Sequence, residues 1–242
     1  MIHSAHSLSK SLKKQFAILY LVENETQINS TKDELNHFLE KENLTDINLL
    51  IRPERLSELT NICEETEASF LFLQLPDKTP RLIQKQLNAC RGLRIPYLLY
   101  KDSFPLLNPD KVMVPVTFLE EEYEKAQFAS AFGRFCNSSI QILLANDYGS
   151  KAQTTAEKMI QLFEKFQLNY TLDKAKGDSF KVEKEAVLQA EHNHFGIVLL
   201  SASRDYGLDD IIFGPKEQHL IKKSSVPVLL INPRGDLYAL CD

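Results

Sequence analysis

The run Arg94-Ile95-Pro96-Tyr97-Leu98-Leu99-Tyr100 returns near the end of the chain as Ser225-Val226-Pro227-Val228-Leu229-Leu230-Ile231, matching it position for position. Ser69–Leu75 likewise matches Phe195–Ser201, and helical spacing separates the two runs of each pair. Recurrence on this scale means one supersecondary unit used twice, which limits the chain to architectures that a duplicated unit can build. The runs are continuously apolar rather than alternating. That is the pattern of strands in a parallel sheet covered on both faces.

The rest of the chain keeps the same order. Ser7–Gln15 carries Leu8 and Leu12 four apart and reads as the tail of an amphipathic helix. Phe16–Val22 is an apolar strand. Thr31-Lys32-Asp33-Glu34 has capping-box spacing and predicts the start of a helix bearing Leu35, Phe38 and Leu39. Strand Ile47–Ile51 follows, then a helix through Leu56, Leu59, Ile62 and Cys63. Strand Ser69–Leu75, helix Arg81–Arg91 and strand Ile95–Tyr100 close the first part. Asp102–Asp110, with Pro105 and Pro109, is the boundary. The order then restarts with strand Val112–Phe118, helix Glu120–Cys136, strand Ile140–Ala145 and helix Lys151–Leu168. Tyr170–Ala175 reads as an edge strand and Phe180–Glu191 as a helix. Strand Gly196–Leu200, a loop, Gly214 opening a short helix, and strand Val226–Ile231 complete it. Such alternation at short connections builds βαβ units with right-handed crossovers. The predicted class is α/β, with two tandem doubly wound parallel-sheet (Rossmann-like) repeats over residues 1–104 and 109–242.

Bulk properties exclude several functions. A net charge of −5 argues against a general nucleic-acid or anionic-membrane surface, because both need a basic face. The four cysteines (Cys63, Cys90, Cys136, Cys241) form no C-x-x-C pair, so zinc and thioredoxin-like chemistry lack a motif and reduced thiols are expected. Lys10, Lys13 and Lys14 before Phe16–Val22 imitate a signal peptide. Glu23-Asn24-Glu25 stands where a small-residue cleavage site belongs, and a buried strand is expected instead. No apolar stretch approaches the roughly 20 residues of a membrane span. The expected location is the cytoplasm.

The stretch Phe195–Pro233 resembles the C-terminal signature of universal stress proteins. There a loop spelled Gly-x-x-Gly, nine residues, Gly-[Ser/Thr] wraps the phosphates of ATP. In register with Gly214, the other positions are Ser201, Arg204 and Pro215. The family's Val-Pro-x-Asp at the first strand corresponds to Val114-Pro115-Val116-Thr117, so the carboxylate that would touch the nucleoside is a threonine. The resemblance covers essentially the whole chain and implies the adenine nucleotide alpha hydrolase-like form of the Rossmann-like fold. It also implies that the last strands of the two repeats meet, bringing Tyr97–Tyr100 near Val228–Ile231. The family's first strand lies mid-sheet, and this chain begins within the helix that follows it. Direct closure of the flanking strands is the expected repair. Filling by Asp236–Leu240, or a protein that begins further upstream, are the alternatives.

The loop has lost most of its ligand chemistry. Backbone that approaches phosphate closely needs glycine, and Arg204 is bulky. Pro215 has neither N–H nor hydroxyl but suits the first residue of a helix. Asp205, Asp209 and Asp210 outnumber Arg204 and Lys216 and repel a polyanion, and Gly207 does not restore the register. Residues 76–86, the corresponding loop of the first repeat, contain no glycine. The expectation is therefore a non-enzymatic, stress-associated regulatory or interaction protein with no cofactor. It would act through protein partners or self-association, including a homodimer beyond the internal pseudo-dimer. The alternative is an ATP- or AMP-binding sensor using the loop around Gly214. Among other candidates, His192 and His194 are two apart and share no helix face, so a solvated helix end is expected. His219 is read as a surface residue, Glu120-Glu121-Glu122 as a charged first turn, and Cys63 and Cys136 as core. No Gly-x-Ser-x-Gly elbow or Walker lysine motif is present.

Overall fold

The computed structural model describes residues 1–44, 46–76, 80–203 and 215–234, with backbone alone at residues 80 and 81. The first elements are α1 (Ile2–Ser11), β1 (Ala17–Leu21), α2 (Ile28–Lys41), β2 (Asn48–Arg52), α3 (Leu59–Glu65), β3 (Leu71–Leu75), α4 (Pro80–Cys90) and β4 (Tyr97–Lys101). After the proline-bearing connection come β5 (Lys111–Val116), α5 (Glu124–Cys136), β6 (Ser139–Leu144), α6 (Lys151–Lys165) and β7 (Tyr170–Lys174). The last are α7 (Val182–His192), β8 (Ile197–Ser201), α8 (Lys216–Lys223) and β9 (Val228–Ile231). The chain is the expected α/β alternation.

Seven strands form one sheet in the order β3-β4-β9-β8-β5-β6-β7. Neighbours run parallel except at β4 and β9, which pair antiparallel through Tyr97↔Leu230 and Leu98↔Leu229. The meeting of the two matched runs is therefore a direct backbone ladder. Leu98, Leu99, Leu229 and Leu230 are at most 1% exposed, as strands covered on both faces must be. Each end of this seam is tied. At one end the Asn232 amide donates to the carbonyls of Cys90 (2.7 Å), Leu93 (2.9 Å) and Arg91 (3.2 Å), while the Tyr97 hydroxyl donates to Asn232 Oδ1 (3.1 Å). At the other, Lys101 Nζ donates to the carbonyls of Ser224 (2.8 Å) and Lys222 (3.0 Å).

Two sequence expectations are corrected. β1 and β2 do not close onto β3: among the described residues they form a separate two-stranded parallel sheet. The helix layer explains this. Leu8 of α1 and Leu59 and Cys63 of α3 pack into the same core as Leu73 and Tyr100, which keeps the strands beneath them at their own spacing. Residues 236–240, the alternative filler, lie outside the described residues. Second, Thr31 does not start α2. The Asn24 side chain accepts the Thr26 N–H (3.1 Å) in a 3-10 turn over Glu25–Gln27, and the helix runs on from there, leaving Thr31 inside it.

A chain with 8 glycines must end its helices by other means. Lys13, Asn43, Glu67, Asn137, Gln167 and His194, each just past a helix, take positive φ between 53° and 55°, or 49° for Glu67. An apolar residue follows several of them and hydrogen-bonds back into the last turn, as Leu44 N–H does to Leu39 (2.9 Å) and Phe195 N–H to Ala190 (2.9 Å). Burial of Leu44 and Phe195 offsets the cost of the left-handed residue. Gly196 has a separate reason. A Cβ there would stand 1.4 Å from the Asn108 carbonyl oxygen, where the connection between the two parts crosses the start of β8. Among the described residues no helix is long and apolar enough to cross a membrane.

Because one amide side chain satisfies three carbonyls at the seam, Asn232→Ala is expected to lower stability by about 1–3 kcal/mol. Chemical denaturation of both proteins checks this, and an unchanged midpoint would show that the tie carries no stability.

Candidate functional site

In an open α/β sheet, the carboxyl ends of the strands are where ligands are held. β5 and β8 are parallel neighbours, paired through Val112↔Ile197 and Met113↔Val198. Continued to the strand ends, that register brings Val116 level with Ser201. Val114 is fully buried within β5 and Ser201, 4% exposed, ends β8. Pro115 is also buried. Thr117, 4% exposed, donates its N–H to Glu122 (3.3 Å) and accepts the Leu119 N–H at its hydroxyl (3.3 Å). Pro215 is the N-cap of α8, with φ −64° and ψ 154°. It stands one position before the first helical residue, not at that residue as expected, because its own backbone is still extended. Arg204 and Gly214 lie outside the described residues, as do Asp205, Gly207, Asp209 and Asp210. Five of the seven anticipated positions are thus described, with Thr117, Ser201 and Pro215 at this end of the sheet and Val114 and Pro115 inside β5.

The chemistry found there is carried by other side chains. Glu122, expected in a charged first turn, is fully buried, and so is Lys125 one turn on. The Lys125 ammonium donates to the Glu122 carboxylate and to the Pro115 carbonyl. The apolar face formed by Ala126 and Ala129 turns this side of α5 inward, which decides the matter. Across the cleft, Lys216 at the start of α8 donates to Glu183 at the start of α7 (3.1 Å). Glu217, 1% exposed, accepts the Ser203 N–H. Three carboxylates and two ammonium groups therefore share this end of the sheet. Glu122 Oε1 and Glu217 Oε2 are buried with no hydrogen-bond partner among the described residues.

Burial pushes the Glu183 carboxyl above its ordinary value; Lys216 pulls the other way, Glu122 adds repulsion and Lys125 attraction. Burial also works against the Lys216 ammonium, but the attraction and hydrogen bond of Glu183, together with the Glu217 and Glu122 carboxylates, hold Lys216 above the usual lysine value. These couplings show that the five groups sense one another. The sequence offered one sign of them, the three-residue spacing of Glu122 and Lys125. Nothing local marked Glu183 or Glu217, whose partners are 33 and 14 residues away.

Three loops border the site and are stitched together. Asp147 accepts the Ser179 N–H (2.8 Å) and its hydroxyl, Ser179 Oγ accepts the Phe118 N–H (2.9 Å), and Asn146 N–H reaches the Gly177 carbonyl (2.8 Å). They present Phe118 and Phe180, with ring centroids 6.0 Å apart, and Tyr148. Phe180 is 86% exposed and Tyr148 wholly so. The remaining candidates carry no site. His192, His194 and His219 are exposed. Among the described residues no group of three or more His, Cys, Asp or Glu side chains is placed to hold a metal ion. Burial pushes the Cys63 and Cys90 thiols up and Cys136 to about 11, which suppresses the thiolate a nucleophile needs.

No protein-family model matches the chain, and no curated protein matches it in sequence. Solved structures do. The chain is similar to a universal stress protein from Archaeoglobus fulgidus DSM 4304, with TM-score 0.70 and 14% identity over 96% of this chain and 91% of that one. It is similar to a protein from Pseudomonas aeruginosa UCBPP-PA14 assigned provisionally to the universal stress proteins, with TM-score 0.64 and 12% identity over 98% and 89%. The cytoplasmic domain of a prokaryotic cation chloride cotransporter also matches, with TM-score 0.58 and 14% identity over 99% and 95%. The likeness is one of fold.

Two outcomes follow from the buried charges. Lys125→Met strands the Glu122 carboxylate and is expected to cost about 3–5 kcal/mol, most of it regained in the Glu122→Leu/Lys125→Met double variant; denaturation of all three proteins measures it. Glu183 has a raised pKa in the folded state, so its ionised form is penalised by folding. Its favourable contribution is complete below the unfolded value and is lost as pH rises through the folded one. Glu183→Gln, which mimics the protonated form, should gain in Tm relative to the parent between pH 4 and pH 7. A constant difference would show that Glu183 does not titrate there.

Proposed function

We propose, from a fold shared with universal stress proteins, that this chain is a tandem regulatory or interaction protein of the stress-response type that works by binding rather than by turnover. Its two repeats are residues 1–104 and 109–242. One observation carries the reading. At the end of the sheet where a nucleotide would need donors, both nearby lysines are already paired with glutamates, and two buried carboxylate oxygens are left over. Among the described residues such an arrangement repels a polyanion and leaves neither Lys125 nor Lys216 unpaired. Pro215 adds to this, since the N-cap of α8 has no N–H to give.

Protein partners or self-association fit the surface better. Phe118, Tyr148 and Phe180 stand out from loops that the Asp147–Ser179 bonds hold in place. Exposed aromatic side chains on a fixed framework lose little entropy on contact with another protein. No catalytic group is proposed: among the described residues the cysteine thiols are raised, and Glu122 and Glu183 are engaged by lysines.

Calorimetric titration tests the reading directly. ATP and AMP are expected to give flat isotherms, and protein purified without added nucleotide to show no adenine absorbance after heat extraction. A micromolar ATP isotherm would replace this reading with that of a nucleotide sensor.

A further inference from the structure

We propose that the edges of β1 and β3 together form a docking position for one extended, apolar segment of another polypeptide, which enters between them as a parallel strand. The internal repeat carries the argument. β4 corresponds to β9 and β3 to β8 by sequence, and counting back along the chain relates β2 to β7 and β1 to β6. Two pairings of the second repeat have counterparts in the first: β8 with β9 matches β3 with β4, and β6 with β7 matches β1 with β2, all parallel. The other two are made through β5, which lies parallel between β8 and β6. No described strand pairs with β3 and β1 in the corresponding way.

Burial records the difference. All five residues of β8 are buried, and four of the six in β6. In β3 only Leu73 and Leu75 are buried, and in β1 none is, although Ile18, Leu19 and Leu21 are apolar. The backbone groups on these edges are set out for a strand. Leu71 N–H bonds to the Pro96 carbonyl (3.1 Å), toward β4, so the alternate residues Phe72 and Gln74 turn their groups to the opposite edge. Val22 N–H bonds to the Arg52 carbonyl (2.9 Å), toward β2, so Leu19 and Leu21 turn theirs away from β2. Of these backbone groups only the Gln74 carbonyl has a described partner, the Gln86 amide (2.8 Å). Unpaired ladders on two half-buried apolar strands recognise an extended apolar chain, with main-chain bonds supplying the affinity.

The occupant must have both of its edges free. Every described strand of this chain is paired on at least one edge, so a second folded copy has none of them to lend. Arg234, the last residue described, donates its N–H to Glu124 (2.9 Å) at the start of α5, which packs on β5 and β8, beyond β9 from β3. The segment is therefore one of another polypeptide. The surface lies apart from the cleft at β5 and β8, so it stands whether or not a nucleotide binds there.

The probe is a synthetic peptide with the sequence Lys111–Thr117, taken from the strand that holds this place in the second repeat. Hydrogen exchange at single amides is the readout. In the parent protein Leu19, Leu21, Phe72 and Gln74 should exchange faster than Ile18, Tyr20 and Leu73, which are paired within their sheets. Saturating peptide should slow the first group by about tenfold or more and the second group much less. The same peptide N-methylated at alternate residues should give no protection. Leu19→Pro removes a donor from this edge but none from the ladder to β2, and should weaken peptide binding several-fold; if it does not fold, the methylated peptide decides. Protection of Leu19 and Phe72 in the dilute parent alone would show that the chain fills the position itself. Protection that grows with protein concentration would assign it to a second copy. Either overturns the proposal, as does a peptide that slows neither edge or acts equally when methylated.

Discussion

The antiparallel ladder between β4 and β9 is the contact from which the rest of the architecture takes its place. It joins the last strand of each matched unit into a seven-stranded sheet, and it does so in the only antiparallel step of that sheet. An edge strand with unpaired N–H and C=O groups is unstable in water unless it is paired or blunted. The segments Tyr97–Tyr100 and Val228–Ile231 contain no charged residue that would blunt them. They pair with each other, and Asn232 and Lys101 pin the two ends of the seam through backbone carbonyls. The opposite edge shows the contrast. β7 ends in Asp173 and Lys174, is largely exposed, and needs no partner.

The seam also fixes where function can lie. Because β4 and β9 run in opposite directions, the carboxyl ends of β5 and β8 lie at the end of the sheet where β4 begins. At that end the structure invests in buried charge. Burying three carboxylates with one ammonium group, Lys125, costs more than an apolar core of the same volume. A protein that needed only stability would have no use for it. Glu122 Oε1 and Glu217 Oε2 have no partner among the described residues, and the other Glu217 oxygen ties the end of β8 to α8 through Ser203 N–H.

Much of the fold was legible before any coordinate. Continuous apolar runs, helical spacing between them and their recurrence specified the strands to within a residue or two. The matched sequences at 94–100 and 225–231 pointed to the partners in the seam. Thr117, read from sequence inside its strand, follows its end, and Pro215, read as the first helical residue, is the N-cap. What failed did so for physical reasons. Thr31 has the spacing of a cap but lies within a helix that Asn24 had already begun. Glu122 looks like any solvated first-turn acid, because nothing in a triplet of glutamates says which one faces inward.

Sequence by itself determined the elements, their order and the matched runs, because each of these is written in local composition, spacing or self-similarity. Only the tertiary structure decided that β1 and β2 stand apart from the main sheet, since helix packing at α1 and α3 sets that spacing across distant residues. It alone also decided that Lys125, Lys216 and Glu217 are spent on internal partners. The charge of a side chain is a property of the residue, but whether that charge is free to meet a ligand depends on which groups folding has brought within a few ångströms of it.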